Sequence, residues 1–229
     1  MNKEQFISEI KKLNIEVTDL KLEMLDQYYK LLVEWNEKIN LTSIIEEEEV
    51  YLKHFYDSLT LVKVINLTEE ESLCDVGTGA GFPGIVLKIF FPHLKLTLVD
   101  SLNKRIKFLD SVVNTLNLEN VVLKHERAEE LSSRETFDIV TARAVAPLNI
   151  LLEYCIPLVK VDKYFIAMKG NLEEVTREIF ELLDCRVLQT EKFVLPLENS
   201  TRTLIKVLKE KETDKKYPRR YSEIKKKPL

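Results

Sequence analysis

Leu73-Cys74-Asp75-Val76-Gly77-Thr78-Gly79-Ala80-Gly81-Phe82-Pro83-Gly84 is the stretch that decides the fold. Residues 77 to 84 hold four of the chain's five glycines. Leu73 to Val76 is a short apolar run that reads as a buried strand. Ile85-Val86-Leu87-Lys88-Ile89-Phe90-Phe91 reads as an apolar helix ended by Pro92. A strand, a glycine turn and a helix start together make a ligand cradle, because glycine lets backbone approach a ligand with no Cβ in the way. An ordinary tight turn is the plainer reading, and the scarcity of glycine elsewhere argues against it.

Gly79-Ala80-Gly81-Phe82-Pro83-Gly84 fits the dinucleotide pattern G-x-G-x-x-G, but Gly77 and Thr78 separate it from the strand that should lead into it directly. The better frame is Asp75-x-Gly77-x-Gly79-x-Gly81. It resembles motif I of class I S-adenosylmethionine-dependent methyltransferases. Adenosylmethionine has no pyrophosphate, so the helix N-terminus need not hold a dianion. Its sulfonium, amino-acid head and ribose do need partners, and Asp75 is expected to face the amino group directly or through water. A second acid supports the frame. Leu94-Lys95-Leu96-Thr97-Leu98-Val99-Asp100 reads as a strand whose terminal Asp100, 19 residues after Gly81, suits ribose hydroxyls. Asp100 also suits the N-cap of a helix over 103–116. NAD would use the same acid, so Asp100 indicates a nucleoside without choosing which.

The chain of 229 residues, 31% of them charged, has room for one sizeable α/β domain and an appendage. No apolar run reaches the roughly 18 residues of a membrane span. Met1 to Gln5 is too polar for a secretory signal. Cys74, Cys155 and Cys185 are scattered, which indicates reduced core thiols in a cytoplasmic protein and neither a disulfide framework nor a metal site. The net charge is −4, yet residues 211–229 carry eight Lys/Arg against three Asp/Glu, a local +5 on a body of −9. An anionic partner would therefore meet this chain at a restricted place.

Three segments follow: an N-terminal helical extension (1–66), a cofactor-binding domain (67–210) and a basic tail (211–229). Residues 2–38 read as helical, with Thr18 capping a second helix and Trp35 in the core. Residues 35–42 are polar and turn-prone. Glu46 to Glu49 suit an exposed helix start, and His54, among aromatics, reads more simply as structural than as a ligand or base. From residue 72 strands alternate with helices, the rhythm of a parallel sheet. A third strand covers 121–123 and precedes a loop, 126–131, where an adenine would lie near Glu129. Further strands cover 137–141 and 164–168, helices 148–155 and about 172–183, and a closing hairpin 187–195 and 202–208.

Ligands of open α/β sheets sit at the carboxyl ends of the strands, so the residues after Val140 should face the methyl group. Methyltransferases acting on exocyclic amino groups carry a D/N/S-P-P-Y/F motif there. This chain has Thr141-Ala142-Arg143-Ala144. Methylation of pyrimidine C5 needs a cysteine nucleophile, and none is placed for it. A site without a base suits a nucleophile with a free lone pair, such as guanine N7. Arg143 and Lys169 are candidates to orient guanine O6 or a phosphate, with surface ion pairing as the plainer role of each.

With these residues assembled, the chain resembles the bacterial 16S ribosomal RNA guanine-N7 methyltransferase family, RsmG or glucose-inhibited division protein B. The marks run from Trp35-Asn36 to the tail: His54-x-x-Asp57-Ser58, Asp75 to Gly84, Asp100-Ser101, Arg127-Ala128-Glu129, Ala142-Arg143-Ala144 and Lys169-Gly170. The resemblance implies a class I fold, Rossmann-like, with a mostly parallel seven-stranded sheet, helices on both faces and the N-terminal helical extension. It implies that Gly77, Phe82, Ala128, Glu129 and Arg143 contact adenosylmethionine, alongside Asp75, Gly79 and Asp100. It implies methylation of the guanine numbered 527, in the 530 loop of 16S rRNA, within the 30S subunit or an assembly intermediate, by a monomer. Lys169, Arg202, Arg219 and Arg220 are expected to meet RNA phosphates. The tail keeps Tyr217-Pro218-Arg219-Arg220 but continues as Tyr221-Ser222-Glu223 where the family has glycine and proline.

Overall fold

A computed structural model describes residues 1–171 and 175–229. Helix α1 (Lys3–Lys12) starts at a capping box in which Asn2 and Gln5 satisfy each other's backbone N–H. Helix α2 (Asp19–Ile39) starts at Thr18, whose hydroxyl accepts from Lys21 N. It runs through Trp35 to Ile39, against an expected helix to residue 38, and stops at Asn40, in the left-handed conformation. The acidic run does open a helix. Helix α3 (Glu47–Val50) widens into a π passage (Tyr51–Tyr56), then tightens through α4 (Asp57–Leu59) and a 3-10 turn (Thr60–Lys63). Such π passages recur at functional sites, and this one carries His54.

Strand β1 (Ser72–Val76) leads through the glycine turn into α5 (Gly84–Phe90). Then follow β2 (Lys95–Asp100), α6 (Asn103–Thr115), β3 (Val121–His125), β4 (Phe137–Arg143), α7 (Leu148–Cys155) and β5 (Val159–Lys169). Helix α8 (Arg177–Leu182), the hairpin β6 (Cys185–Val194) and β7 (Thr201–Lys209), and helix α9 (Tyr221–Lys226) complete the chain. Pairing extends β3, β4 and β5 beyond their apolar cores. The helix expected over 172–183 is observed over Arg177–Leu182; residues 172–174 lie outside the described part.

The sheet order is β3-β2-β1-β4-β5-β7-β6, parallel except where β7 pairs with β5 and with β6. The order reverses at β1, whose neighbours are β2 and β4. Val76 lies beside Val99, and Asp75 beside both Leu98 and Thr141, so the carboxyl ends of these strands open together. That is where open α/β sheets place their ligands.

Two apolar layers cover the sheet. One gathers Phe6, Leu25, Tyr28 and Leu32 of the first helices with Ile85, Leu98 and Phe108. The extension therefore shares its core with the glycine turn. The other joins Leu151 and Leu152 of α7 to Phe165, Val207, and Tyr217 and Ile224 of the tail. All three cysteines are buried and free. Among the described residues no helix is long and apolar enough to cross a membrane.

Candidate active site

The glycine turn is held from three directions. Gly77 N and Thr78 N donate to Val99 O at 2.8 and 3.0 Å, tying the turn to β2. Gly79 N donates to Asp100 Oδ2 at 3.0 Å. From α2, the Tyr28 hydroxyl donates to Ala80 O. Gly81, at φ +95°, cannot be replaced without strain: a Cβ there would sit 2.6 Å from that hydroxyl.

Asp75 is fully buried beneath the turn. Its Oδ2 accepts from Thr78 Oγ1 at 2.7 Å and Gly84 N at 2.9 Å, while Oδ1 has no hydrogen-bond partner among the described residues. Burial pushes its carboxyl up to about 6, against those two hydrogen bonds. The side chain lines neither of the cavities described next. Through Oδ2 it shapes the turn, while Oδ1 stays without a hydrogen-bond partner among the described residues.

The first cavity, about 350 Å³, opens at the ends of β1 and β2. Gly77, Asp100, Ala128 and Glu129 line it, with Ile150 and Tyr154 of α7 behind. Asp100 Oδ1 accepts from Leu102 N at 2.9 Å, and Oδ2 from Arg105 Nη1 at 3.1 Å as well as from Gly79. Glu129 is different. Its Oε1 is buried without a hydrogen-bond partner among the described residues, the Arg127 guanidinium standing off at 4.0 Å. A buried, unpartnered carboxylate oxygen is costly unless something donates to it. The amino and hydroxyl groups of adenosylmethionine are such donors, so the residues present fit that cofactor. A Cβ on Gly77 would meet Val145 Cγ2 at 2.5 Å, at the inner wall of this cleft.

The second cavity, about 540 Å³, lies on the other side of the loop that follows β4. Arg143 is its hub. Its Nη1 donates to Asp57 Oδ2 (3.1 Å) and Lys53 O (3.0 Å), its Nη2 to His54 Nδ1 (3.1 Å), and its guanidinium lies 5.3 Å from the Phe82 ring centre. Asp57 Oδ1 accepts from Arg202 Nε at 3.1 Å. His54 stacks on Phe82 with ring centres 4.4 Å apart, and its Nε2 lies 3.0 Å from Thr42 Oγ1. Burial, reinforced by Arg143, pushes His54 down to about 3. A guanidinium is always a donor, so Nδ1 accepts and Nε2 carries the proton, although Nδ1 is also 3.2 Å from Lys53 O. Lys169 Nζ donates to Ala146 O at 2.8 Å and so holds the dividing loop.

The structure sorts the expected residues between these openings. Gly77, Asp100, Ala128 and Glu129 share the cleft; Arg143, Lys169 and Arg202 share the basic cavity; Gly79, Phe82 and Asp75 act on the turn between. Arg143, expected at both, lines the basic cavity. The two tail arginines lie apart from Lys169 and Arg202. Arg219 is forked onto the buried Glu153 and Arg220 is exposed beside Arg127. Sequence reasoning gave no role to Tyr28, Asp57 or Tyr221 and left His54 structural. The aromatic neighbourhood of His54 was a signal of its stacking, but nothing local announced its bond to Arg143, 89 residues away.

A family model described as GidB, rRNA small subunit methyltransferase G, matches residues 21–204. The chain is 47% identical over 237 residues to "Ribosomal RNA small subunit methyltransferase G" of Bacillus pumilus, covering 100% of this chain and 99% of that one. It is 48% identical over 239 residues to the protein of the same name in Lactobacillus helveticus, covering 100% of both. Among solved structures, a SAM-dependent methyltransferase from Aquifex aeolicus superposes with a TM-score of 0.54 at 20% identity, over 71% of this chain and 94% of that one. A mutant of MtNAS in complex with S-adenosylmethionine gives 0.55 at 17%, over 84% and 77%. These two share the fold.

Proposed function

The chain belongs to the rRNA small subunit methyltransferase G family, and we propose that it methylates N7 of a guanine in 16S rRNA, the one numbered 527 in the 530 loop. Adenosylmethionine, held at the cleft, supplies a methyl group on a sulfonium, which an N7 lone pair can take with no proton to remove. Glu129, Asp100, Gly77 and Ala128 hold it, and Asp75, Gly79 and Phe82 keep the turn in shape around it.

One observation carries the choice of N7. Among the described residues, the proton-accepting groups lining the basic cavity are His54 and Asp57, and both are already engaged: His54 by Arg143 and Thr42, Asp57 by Arg143 and Arg202. A site with no base to spare suits a nucleophile that needs none. Catalysis then rests on alignment in a dry pocket, where positioning alone supplies up to ~7–11 kcal/mol. Arg143 and Lys169 orient guanine O6 or its phosphate, and Lys169, Arg202 and the exposed Arg220 meet the RNA backbone. A guanine in folded RNA must be splayed out to enter. A net charge of −4 with the cations concentrated favours one particular folded target, the 30S subunit or an assembly intermediate, over naked RNA; the protein meets it as a monomer in the cytoplasm.

The test is methyl transfer from labelled adenosylmethionine to 30S subunits isolated from a strain lacking the gene, with N7-methylguanosine mapped along the 16S rRNA. Label is expected at the single 530-loop guanine. Label spread equally over unrelated RNA, or placed on another atom, would contradict the reading.

A further inference from the structure

The tail returns across the cofactor cleft. Arg134 fastens its first half, donating from Nη1 to Tyr217 O at 2.5 Å and from Nη2 to Thr213 O at 2.8 Å. Arg219 fastens the second. Its Nε and Nη2 fork onto the fully buried Glu153 of α7 at 2.8 and 2.7 Å, and its backbone N adds a third bond at 2.9 Å. Helix α9 is thereby set over the carboxyl ends of β1 and β2, where Tyr221, Ile224 and Lys225 line the same cavity as Gly77, Asp100 and Glu129. Ile224 is fully buried in the α7-side core. The Tyr221 ring lies 4.4 Å from the Arg127 guanidinium, which limits its rotation while leaving it 41% exposed.

This end of the cleft thus presents an aromatic ring and aliphatic side chains around a buried carboxylate oxygen that lacks a donor. Flat apolar walls with one such acceptor match a purine carrying an exocyclic amino group. We propose that helix α9 is a wall of the cofactor cleft, with Tyr221 and Ile224 closing its adenosine end. The proposal rests on adenosylmethionine occupying this cleft. It makes the tail a cofactor-binding element as well as a basic one, and makes Arg219 the bolt that holds this wall in place.

Calorimetric titration of the full chain with S-adenosylhomocysteine tests it. Tyr221→Ala is expected to bind roughly tenfold more weakly, about 1.4 kcal/mol, while Tyr221→Phe, which keeps the ring, stays within about twofold of wild type. Lys226→Ala, an exposed tail change outside the cleft, is expected to bind like wild type. The unliganded melting temperature of Tyr221→Ala, measured alongside, should match that of wild type, because the ring is half exposed. Wild-type affinity in Tyr221→Ala, or an equal loss in Lys226→Ala, would overturn the proposal alone. A wild-type chain that takes up no S-adenosylhomocysteine would overturn the reading of the cleft, and the proposal with it.

Discussion

The two cavities flanking loop 144–147 are built on opposite plans. In the cleft at β1 and β2, carboxylates predominate, and one buried Glu129 oxygen lacks a donor among the described residues. In the basic cavity, Lys53, Arg143, Lys169 and Arg202 surround Asp57, the one carboxylate among the described lining residues, and hydrogen bonds already tie Asp57, His54 and Arg143 together. The first is a site that needs donors from a ligand to be satisfied. The second is a preformed positive frame, complete in itself, against which a polyanion can be placed. One fold can thus hold a cationic cofactor and a polyanionic substrate a few residues apart without the two fields cancelling.

The strongest way to break this contrast is Arg143→Ala. It removes the hub of the basic frame, and transfer to 30S subunits is expected to fall about 100- to 1000-fold, while calorimetry shows cofactor affinity within about twofold of wild type. A parallel loss of cofactor affinity would mean that the two cavities act as one. Next in size is Arg219→Ala. It leaves the buried Glu153 charge unpaired, and because Arg219 is itself part-exposed the loss sits near the lower end of the range for such pairs, about 3 kcal/mol. Urea unfolding would measure it; an unchanged midpoint would show that the tail is not anchored there. Glu129→Gln sharpens the contrast from the other side. Cofactor binding is expected to weaken roughly tenfold or more, in line with hydrogen bonds to charged groups at about 1.5–3 kcal/mol, with RNA affinity unchanged in filter binding.

The fourth test is a pH dependence. His54 is held at about 3 in the folded chain against an ordinary 6.5. Between those values the unfolded state binds a proton that the folded state refuses, so this group's contribution to stability falls as pH drops from 6.5 toward 3, by at most about 1.4 kcal/mol per pH unit. Asp75 works in the opposite sense. Its folded value of about 6 lies above the ordinary 3.8, so between pH 6 and 3.8 the folded state takes up the proton and gains stability. The His54 contribution is therefore read as the difference between wild type and His54→Gln across pH 4–6. Identical pH profiles for the two would remove His54 from the buried network.

Much of the cleft was legible because its signals are local. Glycine scarcity, two apolar runs and the spacing from Gly81 to Asp100 mark the turn, and those elements stand where expected. The sheet followed from the alternation of strands and helices. What was not legible depends on contacts far apart in the chain. Tyr28 reaches Ala80 across 52 residues, and Glu153 meets Arg219 across 66. No local pattern distinguishes a tail arginine that stays exposed, Arg220, from one that meets a buried glutamate, Arg219. Asp75 was found by its position, but the direction of its side chain is set by Thr78 and Gly84 N, which compete for it with any ligand. The helix end expected at residue 38 falls within one residue of the observed Ile39, and the break itself is one left-handed residue, Asn40.

The division of labour between the two cavities is tested most directly by a crystal structure of the full chain with S-adenosylhomocysteine and a guanine-containing RNA oligonucleotide. The nucleoside of the cofactor is expected against Glu129, Asp100 and Gly77, and the guanine beside Arg143 and Lys169, with loop 144–147 between them. Cofactor density in the Arg143 cavity, or guanine in the Glu129 cleft, would contradict it.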